Sequence, residues 1–413
     1  MSEHALGLEG PRLPWPRARE LWAGLNRHNL TNGFMACLFA STGPLAAYLA
    51  SLQSAGFEPG AITSILFGAY AGGGLASIAC SLFFRQPLAL AWTIPGAVIL
   101  GPALQHLTLN QSVGSFYVTG ALIALLGLSG LVGQVMRQLP GPIVMGMVAA
   151  VFLPLVARII PSVETTPALA LPMLTGFVAF LAVPKLVNRF PPALATLLLG
   201  LLVIAWFIPW QPPEPSRRWL VEPSLLRPEF QLQAILEQVL PMMLTVIGIQ
   251  NAQGFFVLRQ SGYRPPANSL TLVCGVGTGL MAPLGTVPLC VTGPANAILN
   301  TSGLPELRFM GGVVFGVLML LFGLFAPVTV GLALALPAAF IAVLGGLAML
   351  LVLQGAFINA FSGRFALGAL LSFVVTLSDL TILNIGAPFW GLVFGYLTSR
   401  VLEPKDFRQL NAA

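Results

Sequence analysis

Residues 92–100 (WTIPGAVIL) and residues 291–299 (VTGPANAIL) are two nearly equivalent stretches that decide the fold of this chain. Each places a Thr two residues before a Pro, and the Pro opens a run of small and aliphatic residues. Proline suits the first turn of a helix, because the N–H that it lacks would have no partner inside the helix. Both stretches therefore predict a short helix that begins inside an apolar segment and breaks that segment in two.

The composition around these stretches is that of a membrane protein. The chain is 56% apolar and 8% charged, with a mean hydropathy of +0.88, whereas a soluble domain carries about 25% charged residues. Apolar runs of roughly 17–25 residues, the length that a membrane-spanning helix needs, recur along nearly the whole chain. We therefore predict an all-α polytopic membrane protein, and residues 1–29 lack the apolar core of a cleaved signal peptide.

The charged and reactive residues argue against several other classes of protein. The net charge of +6 comes from Lys and Arg in short loops, so it does not indicate a nucleic-acid surface. The four Cys lie in apolar segments without the spacing of metal ligands, which predicts core residues and neither a metal nor a cofactor. No paired carboxylates, Ser/His/Asp set or zinc-protease motif indicates an enzyme.

The apolar pattern divides into fourteen membrane segments, two of which are broken. The predicted segments are 31–54, 60–84, 87–106 (broken), 113–137, 140–160, 168–187, 192–210, 234–260, 267–283, 285–300 (broken), 307–331, 334–354, 364–379 and 381–401. The predicted divisions are an N-terminal segment at 1–29, a first repeat at 30–210, a linker at 211–233, a second repeat at 234–402 and a tail at 403–413. Each repeat then holds seven segments.

Matched landmarks in the two halves predict this internal repeat. The sequence GFEP at 56–59 recurs as GYRP at 262–265, the two Thr-x-Pro stretches follow, and Leu-Pro at 139–140 recurs at 336–337. Since each half holds an odd number of segments, the second half enters the membrane from the opposite side, which makes an inverted repeat. Broken segments at matching places in two such halves are typical of a transporter's binding site.

The basic residues support this topology. With the N-terminus in the cytoplasm, 15 of the 19 Lys and Arg residues fall on the cytoplasmic side and 4 fall outside. Cytoplasmic loops of membrane proteins carry an excess of Lys and Arg. If either broken segment did not cross the membrane, every later loop would lie on the opposite side and the excess of basic residues in the cytoplasm would disappear. The count therefore predicts that both termini are cytoplasmic.

The two predicted half-helices point their N-terminal ends toward one another from opposite sides of the membrane. Each end carries unpaired N–H groups and a partial positive charge of roughly +0.5, so an anion such as a carboxylate can bind between them without a basic side chain. The alternative is that these residues only kink packed helices. The residues predicted to line the site are Thr93, Pro95, Gly96, Thr292, Gly293, Pro294 and Asn296.

A second polar feature lies in the segment at 234–260. Gln250, Asn251 and Gln253 fall within four residues, and such amides are costly in hydrocarbon unless they face a cavity or a partner helix. Gln250 and Gly254 share a helix face at i and i+4. We therefore predict that Gln250, Asn251 and Gly254 belong to the binding site; hydrogen bonding between helices is the alternative.

The candidates for proton coupling are few. Glu237 lies at the start of a segment, Asp379 at the end of one, and His106 ends the first broken segment. Imidazole gains and loses a proton near physiological pH, which makes His106 a candidate for a proton relay. The alternative for each of the three residues is a place at the water interface.

Three motifs carry a family resemblance. They are residues 249–266 (IQNAQGFFVLRQSGYRPP), residues 87–96 (PLALAWTIPG) and residues 291–296 (VTGPAN). They resemble the benzoate:proton symporter family, often called BenE, and the likeness runs over most of residues 20–402. The resemblance implies proton-driven import of benzoate or a close aromatic carboxylate by a secondary transporter in a bacterial inner membrane.

The family in turn resembles the nucleobase–ascorbate and sulfate transporter superfamily. That likeness implies a fold of seven plus seven segments, often in a homodimer, in which a core domain moves against a gate domain. The core corresponds here to 30–137 and 234–331, and the gate to 138–210 and 332–402. Nucleobase members carry acidic and His residues on the eighth segment, where this chain has Gln250 and Gly254, so nucleobase recognition is disfavoured.

Rival functions stay open at this point. The nearest is a proton symporter for another organic anion or a nucleobase, and the second is an anion channel on the same scaffold. A membrane enzyme is the weakest, because the chain lacks a nucleophile–base or metal set. For every function except the enzyme, we expect the protein to bind a small molecule and to lie in the lipid bilayer. We do not expect it to bind nucleic acid.

Overall fold

The protein is described by a computed structural model that covers residues 7–134, 140–183, 192–207, 218–301, 303–378, 380, 382 and 387–412. The helices of the first half are α1 (Ala18–Gly24), α2 (Arg27–Ala40), α3 (Gly43–Ser54), α4 (Pro59–Phe84), α5 (Ile94–Ala103), α6 (Leu109–Ser129), α7 (Gly141–Ala157), α8 (Ile159–Thr165), α9 (Pro167–Leu181) and α10 (Pro192–Phe207). The described residues also form two short strands, β1 (Leu90–Trp92) in the first half and β2 (Leu289–Val291) in the second half.

The second half continues the helical pattern. Its helices are α11 (Leu232–Gln260), α12 (Ala267–Met281), α13 (Gly293–Leu299), α14 (Phe309–Leu324), α15 (Ala326–Ala335), α16 (Ala338–Phe361), α17 (Ala366–Leu377), α18 (Ala387–Leu402) and α19 (Pro404–Ala412), with 3₁₀ turns at Ala282–Leu284 and Pro305–Leu307. Strand β1 leads directly into α5, and β2 leads directly into α13.

Several of these elements are long and apolar enough to cross a membrane. Among the described residues, eight helical stretches meet that criterion: Arg27–Ser54, Pro59–Phe84, Leu109–Ser129, Gly141–Thr165, Leu232–Gln260, Ala267–Leu284, Pro305–Leu324 and Ala338–Phe361. A helix, or a strand followed by a helix, overlaps each of the fourteen predicted segments. The polytopic helical architecture is therefore confirmed, while the division into two seven-segment repeats stays a prediction.

The all-α prediction was wrong at the two broken segments, because each contains a short strand. Strands β1 and β2 pair antiparallel, with Ala91 opposite Cys290. Just beyond the pair, the N–H of Thr93 donates to the Pro288 carbonyl at 2.9 Å, and the N–H of Thr292 donates to the Ala89 carbonyl at 3.1 Å. Extended backbone in an apolar interior needs such partners, because water is not there to replace them.

Helices α4 and α12 support the two strands in the same way. The N–H of Leu90 donates to the Ser77 hydroxyl at 2.8 Å, and the N–H of Leu289 donates to the Thr278 hydroxyl at 3.0 Å. Each hydroxyl also donates to the carbonyl four residues earlier in its own helix, at 2.7 Å in both cases. Equivalent elements of the two halves thus make equivalent bonds at this crossing.

An apolar cluster joins α5 and α11 to α7 and α16, and it positions the two sides of the cavity described below. Its main members are Ile94, Ile99, Val148, Val151, Phe152, Leu155, Leu244, Ile249, Met349, Leu353 and Ala356. Contacts between apolar side chains have no preferred direction. Helices α5 and α11 can therefore slide or tilt against α7 and α16 without leaving polar groups unpaired.

The segment before the first long helix is fastened to other parts of the chain. The Glu9 carboxylate accepts from the N–H groups of Asn268 and Ser269 at the start of α12, at 3.3 and 3.0 Å. The Glu20 carboxylate pairs with the Arg85 guanidinium at 2.8 Å, and this pairing lowers the pKa of Glu20 to about 2. Two carboxylates therefore attach the N-terminal segment to the ends of α4 and α12.

We expect Gly73→Ala to destabilise the protein, because α4 lies directly against β1 at this residue. A Cβ at Gly73 would lie 2.8 Å from the Leu90 carbonyl oxygen and 3.0 Å from the Ala91 Cα, and neither backbone can move without disturbing the strand pair. Overpacking of this kind costs about 1–3 kcal/mol. Thermal unfolding in detergent measures the effect.

The matched control is Gly60→Ala in the same helix, where a Cβ would meet nothing within 4 Å. Alanine favours helix over glycine, so this variant should be neutral or slightly more stable than the native chain. Equal melting temperatures for the two variants would contradict the close packing of α4 on β1.

Candidate functional site

A cavity of about 310 Å³, here called the central cavity, lies between two groups of helices at the starts of α5 and α13. This volume is at the lower end of the range of ligand pockets, about 300–1,000 Å³. Its lining residues are Phe39 from α2, Ile94 and Pro95 from α5, Met145, Val148 and Phe152 from α7, Phe177 from α9, Pro192 from α10, Ile249, Gln250 and Gln253 from α11, Pro294 from α13, and Leu347, Leu351, Gly355, Ala356 and Asn359 from α16.

The starts of the two half-helices supply backbone donors near this cavity. In both helices the second residue is a proline, which has no N–H. The N–H of Gly96 donates to the Thr93 hydroxyl, which caps α5. In the described part of the chain, the N–H groups of Ile94 and Gly293 have no acceptor. Unpaired N–H groups in a first helical turn favour negative charge or an acceptor atom.

Gln250 is the polar side chain that the structure places most clearly in the cavity. It is 5% exposed, it lines the central cavity, and its Oε1 has no hydrogen-bond partner. Gln253 lines the same cavity one turn further along α11 and covers the backbone of Gly293, where any Cβ would collide with it. Amide groups can donate to a carboxylate and can accept from a protonated acid.

The helix that carries these amides departs from α-helical geometry. Helix α11 contains two π-helical stretches, Ile235–Val239 and Thr245–Asn251. Such stretches are rare and are frequent at functional sites, because the wider turn redirects the side chains that follow. Gln250 lies in the second stretch and Glu237 in the first.

The predicted site residues divide into two groups in the structure. Pro95, Gln250 and Pro294 line the central cavity. The others lie behind its surface, where they hold the helix starts together: Thr93, Gly96, Asn251, Gly254, Thr292, Gly293 and Asn296. Gly254 packs against β2, since a Cβ there would lie 2.7 Å from Val291 Cγ1 and 2.9 Å from the Val291 carbonyl oxygen.

Thr93 is occupied by contacts within the protein. Its hydroxyl donates to the Thr245 hydroxyl at 3.0 Å and accepts from the N–H of Gly96 at 3.3 Å. The absence of a side chain at Gly96 is required here, because a Cβ would collide with the Thr93 methyl group. Thr93 and Gly96 therefore fix the first turn of α5 against α11.

Asn296 and Asn251 hold the strand pair. Asn296 donates to the Ala89 carbonyl at 2.9 Å and accepts from the Ala89 N–H at 3.0 Å. The Asn251 side chain accepts from the Val291 N–H at 2.8 Å. Both amides are fully buried. Their bonds satisfy backbone groups of the strands and leave these side chains facing the protein instead of the cavity.

Sequence reasoning missed several cavity residues. Phe39, Phe152 and Asn359 were not singled out, although all three line the central cavity. Aromatic residues in apolar helices carry no distinguishing pattern, because the same residues serve in any apolar core. Asn359 offered one usable signal, since it is an amide in the last turn of a long apolar helix.

The proton-coupling candidates are placed as follows. His106 Nε2 and Glu237 Oε2 are 2.9 Å apart, which joins the turn after α5 to the first π-helical stretch of α11. The Glu237 side chain is 6% exposed and the His106 side chain is 41% exposed. Asp379 lies outside the described residues. The structure thus brings together two residues that are 131 positions apart.

Comparison with known proteins identifies the family. The sequence matches the BenE family, benzoate membrane transport protein, over residues 24–401. The chain belongs to the BenE family. The inner membrane protein YdcO of Escherichia coli is 30% identical over 392 residues, which cover 91% of this chain and 95% of YdcO. The benzoate membrane transport protein of Acinetobacter baylyi is 25% identical over 380 residues, which cover 90% of this chain and 95% of that protein.

A solved structure supports the fold. The transmembrane domain of the cyanobacterial bicarbonate transporter BicA aligns with a TM-score of 0.60 at 16% identity, and the alignment covers 96% of this chain and 98% of that domain. As a BenE protein with many apolar helices, the chain is a multi-pass membrane transporter and not an enzyme.

We expect Asn296→Ala to destabilise this BenE protein. The substitution removes both bonds to Ala89 and leaves the Ala89 N–H buried without a partner. An unsatisfied buried backbone group costs about 1–3 kcal/mol. The melting temperature of the purified protein measures the loss.

Asn359→Ala is the matched control for stability, because that side chain is exposed and, among the described residues, bonds to Gly355 of its own helix. If the Asn296→Ala variant has the same melting temperature as the native protein, the role of Asn296 in supporting the strands is contradicted.

Proposed function

We propose that the chain is a secondary active transporter that imports benzoate or a closely related aromatic carboxylate together with protons across the bacterial inner membrane. The observation that carries this proposal is the central cavity, which combines an apolar, partly aromatic wall with the side-chain amides of Gln250 and Gln253 beside the starts of two half-helices. The family match and the name of the Acinetobacter relative agree with benzoate transport, and the name of the Escherichia coli relative agrees with an inner-membrane location.

The aromatic ring would lie against the apolar side of the cavity. Phe39, Phe152 and Phe177 lie on three different helices around it. Stacked or edge-on contacts between aromatic rings contribute about 0.5–1.5 kcal/mol beyond the burial of their surface. The cavity volume of about 310 Å³ has room for one aromatic ring with its carboxyl group.

The carboxyl group would lie at the half-helix starts. Gln250, Gln253 and the N–H group of Ile94 are the polar groups on that side. The described lining residues include no Lys or Arg, so the positive potential comes from backbone dipoles and amides alone. Binding of a bare anion is then modest, and a proton that accompanies the anion makes its entry into an apolar cavity less costly.

Alternating access would follow from motion of the two helix groups. We propose that 30–137 and 234–331 form the core, and that 138–210 and 332–402 form the gate. The lining residues then come from both groups, and the apolar cluster between α5 and α7 is the surface on which they move. The inverted seven-plus-seven repeat, the cytoplasmic termini and a homodimer belong to the same proposal.

Uptake of radiolabelled benzoate into proteoliposomes under an imposed pH gradient tests the function. We expect saturable accumulation that stops when a protonophore collapses the gradient. Unlabelled substituted benzoates should compete, and uracil and sulfate should not. Flux that never exceeds equilibrium would favour a channel instead, and competition by uracil would favour a nucleobase symporter.

We expect Gln250→Leu to weaken benzoate transport strongly. The variant keeps the side-chain size but removes the cavity amide. A hydrogen bond to a charged group contributes about 1.5–3 kcal/mol, so the apparent affinity should fall about 10- to 100-fold. Concentration-dependent uptake measures the change.

Gln260→Leu is the matched control, because Gln260 is exposed at the end of the same helix and lies outside the cavity lining. Normal transport by Gln250→Leu would remove Gln250 from the proposed site.

A further inference from the structure

A second cavity lies beside the outer part of α5. It measures about 760 Å³, and we call it the His106 cavity. Val98, Ile99 and His106 line it on one side, and Val151, Leu155 and Arg158 line it on the other. Under the predicted topology, its mouth faces away from the cytoplasm.

Helices α5, α7 and α11 contribute lining residues to both cavities. On α5 the central cavity ends at Pro95 and the His106 cavity begins at Val98. Between them lies the apolar cluster, which contains Ile99 of α5 together with residues of α7 such as Val151 and Phe152. Along α5, a molecule in the His106 cavity is therefore separated from the central cavity by roughly one helical turn.

The charges of the His106 cavity distinguish it from the central one. Its described lining residues include three charged or titratable groups, His106, Glu237 and Arg158. Asp379 is two residues after Leu377, which also lines the cavity, but Asp379 itself lies outside the described residues. Arg158 is exposed, whereas Glu237 is buried and bonded to His106.

Protonation changes the net charge of these three groups. With Glu237 ionised and His106 neutral, the pair has a charge of −1. One added proton makes the pair neutral, and Arg158 then gives the three groups a net charge of +1. When the pair has lost that proton, the net charge of the three is zero. A carboxylate is therefore attracted more strongly after proton uptake, and by linkage a bound carboxylate strengthens proton binding by the same factor.

We propose that the His106 cavity is the extracytoplasmic loading site, where a monocarboxylate binds beside Arg158 more tightly once the His106–Glu237 pair has taken up a proton. This inference rests on the proposed function, and it adds a second substrate site with its own charged residues. Arg158 supplies the permanent charge, and the pair supplies the charge that depends on pH. Proton and anion thus enter the protein together.

Protection of a cysteine at the cavity tests the proposal. Ser54 lines the His106 cavity and is exposed, and all four native Cys are buried. A membrane-impermeant thiol reagent added outside cells should label Ser54→Cys, and benzoate should slow the labelling. We expect protection at about pH 6 that is several-fold weaker at about pH 8, because a proton bound to the His106–Glu237 pair strengthens the binding of the carboxylate. Rates with and without benzoate are compared at each pH.

Two further variants in the Ser54→Cys background assign the charges. Arg158→Gln should reduce protection about tenfold at both pH values, and His106→Gln should abolish its pH dependence. The matched controls are Arg227→Gln, an exposed basic residue outside the cavity, and Thr165→Cys, an exposed position outside it whose labelling benzoate should not slow.

The possible results separate the two proposals. Gradient-driven benzoate uptake without protection at either pH would overturn the loading site and leave the transport function intact. Protection that is unchanged in Arg158→Gln and His106→Gln would also overturn it. If the native protein shows no gradient-driven uptake of benzoate, the proposed function is overturned, and this inference with it.

Discussion

The backbone of two unwound stretches in an apolar interior must find hydrogen-bond partners, and the rest of the structure depends on how it does so. Strands β1 and β2 pair with each other, so each half of the chain satisfies the other. The remaining groups bond to side chains: Ser77 and Thr278 from α4 and α12, and Asn251 and Asn296 from α11 and α13. Unsatisfied groups in such a place would cost several kcal/mol each.

The strand crossing fixes where α5 and α13 begin. Because each helix starts immediately after its strand, the antiparallel pair brings the two starts together from different parts of the chain. Proline at the second position of each helix removes one donor, and the Thr93 cap satisfies another in α5. The few remaining N–H groups lie near the central cavity, where the amide of Gln250 has no protein partner for its oxygen. A structural need of the fold therefore also creates a polar end for a mostly apolar cavity.

Sequence reasoning located this crossing but could not assign every residue at it. The Thr-x-Pro stretches predicted the helix starts, since proline marks a first turn through its own chemistry, and β1 and β2 were missed because three-residue strands lack a period. Polarity placed Gln250, Asn251 and Asn296 in one functional group, whereas the structure puts Gln250 in the cavity and uses the asparagines to hold strands. A sequence shows that a buried amide needs a partner without showing which one. The same limit hid the contact of His106 with Glu237.

Under the proposed function, the contrast between the two cavities explains how one path can handle an anion and a proton. The His106 cavity contains full charges, while the central cavity contains amides and backbone dipoles among its described residues. A permanent positive charge at the central cavity would hold a carboxylate too firmly for release, whereas binding that permits passage must be favourable for entry yet weak enough for exit. The unpartnered Oε1 of Gln250 can accept a hydrogen bond from a protonated carboxyl group. On this view the charged cavity gathers proton and anion from dilute solution, and the amides of the central cavity can bind the carboxyl group in either protonation state.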